Sequence, residues 1–225
     1  MSADVRRTIV RACRVLEAIG QGDLIWGHVS VRDEEGRGAW LKGARLGFDE
    51  VTEDDVILLS WDGDVLEGGA QRHVEYAIHT EIMRARDDVN AVVHTHPVHS
   101  IAFCATHRPL RALSHEGAQF VPPELPRFVE SGELVTEAEH GVALAHALGD
   151  RSAILMPCHG ITTVGAELGE AVGAAYHLER ACQIDLLAGP DAYGSDDEAA
   201  LRKRTRASRR FLNAWEYLAR RYAGA

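Results

Sequence analysis

Two histidines one residue apart, His94 and His96, close the apolar run Val89-Asn90-Ala91-Val92-Val93 and are followed at once by Pro97. The run reads as a buried strand that the proline stops. Side chains alternate along a strand, so His94 and His96 point the same way, roughly 6–7 Å apart. That spacing lets two imidazoles hold one divalent cation. A third histidine, His159, follows the short strand Ala153-Ile154-Leu155-Met156, which is also stopped by a proline, Pro157. Three imidazoles and one carboxylate suit zinc, manganese or iron(II), the borderline metals that accept imidazole nitrogen. Glu75 offers the carboxylate. His79 lies four residues on, a neighbour on one helical face that can hold Glu75 or relay its proton, as a general base requires.

The elements that must position these residues show in the apolar periodicity. Val5, Ile9, Cys13, Leu16 and Ile19 recur at helical spacing and predict a first helix ending at Gly20 and Gly22. Asp23 to Arg32 reads as strand–turn–strand around Trp26-Gly27-His28. Val56 to Ser60 is a strand that returns through an Asp62-Gly63-Asp64 turn. Val74 to Arg86 carries a helix, Ser100 to Thr106 a short one, and the proline-rich stretch Pro109 to Glu133 an irregular loop. Thr136-x-x-Glu139 predicts a capping box for a helix to Leu148. Helices are expected from about Glu167 to Leu187 and from about Asp197 to Tyr222, the latter a C-terminal extension within one domain spanning 1–225. Trp215, Tyr217 and Tyr222 stand at helical spacing there and read as packing residues.

With 46% hydrophobic and 26% charged residues, the 225-residue chain has an ordinary globular composition. A net charge of −10 argues against a nucleic-acid partner. The basic stretch Arg202 to Arg206, with Arg209 and Arg210, reads as a solvated helix face. No run approaches the ~18 apolar residues of a membrane span, and no secretory segment opens the chain. The four cysteines have no paired spacing, which fits a reduced, cytoplasmic protein. Cys158, beside His159, reads as a buried packing residue, with a thiolate ligand as the alternative.

Glu75-x-x-x-His79, Arg86-x-Asp88-Val89-x-Ala91-Val92-Val93-His94-x-His96, His159-Gly160 and Leu178-Glu179-x-Ala181 together resemble the class II aldolase/adducin family. Trp26-Gly27-His28-Val29-Ser30 is similar to that family's early Gly-Asn loop. The resemblance implies a three-layer α/β fold, with a central, mainly antiparallel sheet flanked by helices. It implies one divalent metal ion per subunit on His94, His96 and His159, zinc first, with manganese or iron(II) as alternatives. Glu75 matches the acid/base residue. A homotetramer with active sites between subunits is implied as well.

Two departures shape the functional expectation. Where the family's aldolases hold a phosphate with small hydroxyl and amide groups, this chain has His28, Lys42 and the pair Arg72-His73. Such groups recognise a carboxylate by charge. Where those aldolases carry a proton-donating tyrosine, this chain has His115-Glu116. His115 titrates near neutrality and can protonate a carbanion, with Glu116 beside it in the substrate pocket. Both departures point to the branch that decarboxylates ortho-hydroxylated aromatic or heteroaromatic acids, with a small anionic substrate. The alternatives are an aldolase or epimerase on a sugar-like or 2-oxo-acid substrate, a non-haem iron oxygenase, and a non-catalytic adducin-like interaction protein.

Overall fold

The computed structural model describes residues 2–130, 133–194, 197 and 209–224. Six helices are described: α1 (Ser2–Ala18), α2 (Ala77–Ala85), α3 (Val98–Cys104), α4 (Ala138–Leu148), α5 (Leu168–Ala188) and α6 (Arg210–Tyr222). The strands are β1 (His28–Arg32), β2 (Gly38–Lys42), β3 (Val56–Ser60), β4 (Val65–Glu67), β5 (Ala91–Thr95), β6 (Ala153–Met156) and β7 (Gly160–Gly165). They form a seven-stranded sheet in the order β4-β3-β2-β1-β5-β7-β6, each neighbour antiparallel. The three-layer α/β architecture expected from the sequence is the one observed.

Strand alternation divides the core in two. On one face Val29, Trp40, Leu58, Val93 and Ile161 pack against Ile9 and Leu16 of α1 and Val172 and Leu178 of α5. On the other, Ala39, Val92, Ile154 and Val164 meet Ile78 and Ile82 of α2 and Leu144 and Leu148 of α4. Helix α6 closes on α5 where the latter has no side chain: a Cβ on Gly169 would strike the Trp215 ring at 2.4 Å, and one on Gly173 the Phe211 backbone at 2.3 Å. Trp215 is thus a packing residue, while Tyr217 and Tyr222 are 51% and 40% exposed, so only part of that expectation holds. The predicted start of this helix, residues 198–208, lies outside the described residues and includes the basic stretch Arg202 to Arg206.

Several local expectations are corrected. Residues before His28 form a turn, Trp26 N–H to Asp23 O at 3.1 Å, and not a strand. Leu24, Ile25 and Trp26 are exposed there, so their apolar pattern marks surface and not core. Helix α2 begins at Ala77, which leaves Glu75 in the preceding turn. The Thr136 capping box does not form; α4 starts from Glu137 without a side-chain cap. Cys158 is exposed and not buried, because it occupies a left-handed turn position (φ 59°) between β6 and β7.

Remote side chains close the ends that the local sequence leaves open. Pro97 gives α3 no N-capping group. Glu179 of α5 supplies one: its carboxylate accepts from the backbone N–H groups of His99 (3.0 Å) and Ser100 (2.8 Å). This anchors the chain just past His96. Arg32 likewise donates to the carbonyls of Met83, Arg86 and Val89, tying the end of α2 to the start of β5.

Candidate metal centre

Three adjacent strands set the centre in register: His28 on β1 pairs with His94 on β5, which pairs with Thr162 on β7. All three are fully buried on the sheet face that α2 covers. His96 lies one residue beyond β5, and His159 sits in the β6–β7 turn, its N–H bonded to Met156 O at 3.1 Å. The rings converge, with centroid separations of 4.8 Å for His94–His96 and His94–His159 and 5.2 Å for His96–His159. One donor nitrogen from each lies within 4.8 Å of the others. Their approach is closer than strand alternation alone predicts, because His96 turns inward after leaving the sheet.

The hydrogen bonds behind the rings prepare them as ligands. Thr162 Oγ1 donates to Met156 Sδ (3.3 Å), so toward His94 Nδ1, 3.1 Å away, it accepts. His94 therefore carries its proton on Nδ1 and keeps a lone pair on Nε2. Asp23 Oδ2 lies 3.2 Å from His96 Nδ1 and orients that ring in the same sense. His94 Nε2 and His96 Nε2 then approach to 3.0 Å. Two lone pairs face one another, an arrangement that a cation between them satisfies. His159 Nε2 is buried without a hydrogen-bond partner among the described residues, which points the same way. Burial pushes the His94 and His96 pKa values down, favouring the neutral, ligating form.

Glu75 completes the donor set. Oε1 is 3.5 Å from His159 Nε2 and accepts from Val135 N–H at 3.0 Å; Oε2 is 4.0 Å from His94 Nε2. Burial pushes its pKa up, yet the adjacent His159 and His94 rings and the Val135 N–H outweigh it and hold the carboxyl down at about 2. Glu75 is thus an ionised, buried carboxylate within 4.0 Å of the His94 and His159 rings. The donor chemistry, three imidazole nitrogens and a carboxylate, fits a divalent borderline metal.

Around this set lies a buried nitrogen-rich wall. The His28 ring stacks on His94 (4.8 Å) and touches His73 (4.5 Å), and its Nε2 is 3.8 Å from Glu75 Oε2. His79 does not hold Glu75; its Nε2 is 2.6 Å from His28 Nδ1 and its Nδ1 2.6 Å from Ser30 Oγ. Lys42 is fully buried one ring further out, donating to Gly43 O (3.1 Å) and facing His73 Nε2 (3.5 Å). Burial pushes Lys42 down to about 8 and, with Lys42 adding to it, His73 down to about 4. Arg72 stacks over Tyr76 at 4.2 Å. His115 and Glu116 belong to the other helical layer: His115 is exposed and accepts from Arg210 Nη2 (3.0 Å), and Glu116 pairs with Arg180 of α5 (3.6 Å). Asp23 and Thr162 were not among the residues singled out from the sequence, and Ser30 entered only as part of the family-like loop. No local pattern marks them, since each acts across strands.

The model of the class II aldolase and adducin N-terminal domain matches residues 7–186. A 3,4-dihydroxyphthalate decarboxylase from Arthrobacter keyseri is 34% identical over 202 residues, covering 83% of this chain and 77% of that one. An L-fuculose phosphate aldolase from Escherichia coli is 29% identical over 199 residues, 87% of this chain and 90% of that one. Among solved structures, L-fuculose 1-phosphate aldolase from Glaciozyma antarctica superposes with a TM-score of 0.81 at 26% identity, covering 98% and 91% of the two chains. With its strand-end histidines, its buried glutamate and a family match over most of its length, this chain belongs to the class II aldolase and adducin family.

Proposed function

We propose that the protein is a metal-dependent carbon–carbon lyase that decarboxylates an ortho-hydroxylated aromatic or heteroaromatic acid. The observation that carries this reading is the ionised Glu75 set between the three-histidine cluster and a wall of buried basic groups. His94, His96 and His159 would hold the ion, zinc first and manganese or iron(II) as alternatives. A divalent ion bound there supplies Lewis acidity for the charge left on the ring as CO2 departs. Glu75 takes the proton of the adjacent hydroxyl and returns it to the carbon that CO2 leaves. Lys42, behind His73, and Arg72 would meet the substrate's carboxylate by charge, and His28 by a hydrogen bond, in place of small hydroxyls. The 34% identity to a relative named for decarboxylating a dihydroxyphthalate supports the choice of substrate class.

In this reading the protein is a homotetramer, and His115 and Glu116 serve a neighbouring subunit's site. Exposed apolar residues beside the centre in sequence support such a contact: Leu24 and Trp26 near Asp23 and His28, Val98 near His96, and Leu134 beside Val135. Among the described residues no helix is long and apolar enough to cross a membrane, consistent with the proposed cytoplasmic location.

A substrate panel tests the reading. The zinc form is expected to release CO2 from ortho-hydroxy aromatic acids without oxygen. Cleavage of a hydroxy-ketone to an aldehyde, with no acid losing CO2, would assign the protein to aldol chemistry instead, and a requirement for dioxygen would make it an oxygenase.

A further inference from the structure

The Ser30 hydroxyl is fully buried, and its one hydrogen-bond partner among the described residues is His79 Nδ1, 2.6 Å away. A buried donor left unpaired is costly, so the hydroxyl donates and His79 Nδ1 accepts. The His28 Nδ1 and His79 Nε2 atoms are close enough that one hydrogen must lie between them, and an imidazole with one hydrogen offers one donor and one acceptor nitrogen. On His79 that hydrogen is therefore on Nε2, which donates to His28 Nδ1 at 2.6 Å. His28 must then carry its own hydrogen on Nε2. That atom is buried, lacks a hydrogen-bond partner among the described residues and stands 3.8 Å from Glu75 Oε2.

The reverse polarity fails at both ends. It would strand the Ser30 proton and set an Nε2 lone pair of His28 against a Glu75 carboxylate oxygen 3.8 Å away. The contrast with the metal-facing rings is chemical: His94 and His96 are held from behind by acceptors, Thr162 and Asp23, which leave lone pairs in front. His28 is held from behind by a donor. By position alone, its Nε2 groups with Glu75 and His94 as closely as a ligand would.

We propose that Ser30 and His79 are positioning residues that fix His28 as an Nε2–H donor, keeping it out of the metal shell and aiming it at a substrate oxygen beside Glu75. The identity of that oxygen, on an ortho-hydroxy acid, rests on the function proposed above; the tautomer does not. The hydroxyl of Ser30 thus decides, through two rings, whether a histidine one strand pairing from His94 donates a hydrogen bond or coordinates.

Histidine ring 15N spectra of the zinc-loaded protein test this without any turnover, the His28 signals being those lost in His28→Asn. The wild type is expected to show His28 protonated at Nε2 and bare at Nδ1. His79→Gln, whose amide still donates, should keep that pattern. His79→Glu, whose carboxylate only accepts, should move the hydrogen to Nδ1, and Ser30→Ala should give a mixture. With a turned-over acid, Ser30→Ala and His79→Glu should lose about tenfold or more in kcat at unchanged metal content, with His79→Gln retaining activity. A wild-type His28 bound to zinc through Nε2, or a tautomer unmoved in both His79→Glu and Ser30→Ala, would overturn the proposal. Failure to decarboxylate any acid, with the tautomer as described, would strike the proposed function and leave this inference standing.

Discussion

Asp23 and His96 meet at 3.2 Å between Oδ2 and Nδ1, joining the turn before β1 to the first residue beyond β5. The carboxylate fixes which nitrogen of His96 faces inward and raises its basicity. Asp23→Ala is expected to weaken zinc binding by about 10–100-fold while leaving the fold intact. Competition with a chelator of known affinity measures it, and an unchanged affinity would remove Asp23 from the centre.

Gly160 is a second support that carries no ligand atom. A Cβ there would lie 2.3 Å from Thr95 O and 2.7 Å from His96 Cδ2. Gly160→Ala must therefore push β7 from β5 or rotate the His96 ring. Weaker zinc binding and a lower melting temperature are expected together, from circular dichroism and metal titration of one preparation. A fully stable variant with native affinity would show that this close approach is relieved at no cost.

Lys42 sets stability against recognition. Its folded pKa is pushed by burial to about 8, against 10.5 for a free lysine, so between those values the unfolded chain binds more protons and stability rises with pH. Below pH 8 the full penalty of the buried ammonium is present. Lys42→Met is expected to gain about 1–3 kcal/mol at neutral pH and to lose the rise between pH 8 and 10.5. Its KM for an anionic substrate should increase as the charge behind His73 is lost. Denaturant melts across pH with initial-rate kinetics check both; a destabilised Lys42→Met would mean that the Gly43 hydrogen bond outweighs desolvation.

Far from the centre, His177 on α5 is 7% exposed and its Nδ1 has no partner within the described residues. Burial drives its pKa down to about 4 from 6.5. The unfolded chain takes up the proton first, so the stability present above pH 6.5 is lost as pH falls toward 4, by up to ~3 kcal/mol for this residue. Acid melts of metal-free protein should show a shallower decline in His177→Phe than in wild type, and parallel curves would count against the assignment.

The sequence made the centre legible where chemistry and local pattern coincide. His94, His96 and His159 could be found because His94 and His96 close an apolar run before Pro97 and His159 follows one stopped by Pro157, and β5 and β6 are short, buried and bounded. Glu75 was legible as a carboxylate, but its partner was misread: helical spacing suggested His79, while the turn before Ala77 directs Glu75 to His159 and Val135 and leaves His79 to His28. Ser30, Thr162 and Asp23 are ordinary polar residues whose roles exist only across strand register. The exposed Leu24, Ile25 and Trp26 misled for the opposite reason, since apolar residues at a rim have the same pattern as a strand.

The central claim is that His94, His96 and His159 hold one divalent ion on which carbon–carbon cleavage depends. Its most direct test is zinc titration of metal-free protein, with bound metal and CO2 release from an ortho-hydroxy aromatic acid measured in parallel. Activity should rise linearly and stop at one ion per chain; His96→Ala should lose metal and turnover together, and Glu75→Gln should keep metal while losing most turnover. Full turnover by the metal-free protein, or full activity in Glu75→Gln, would contradict the account.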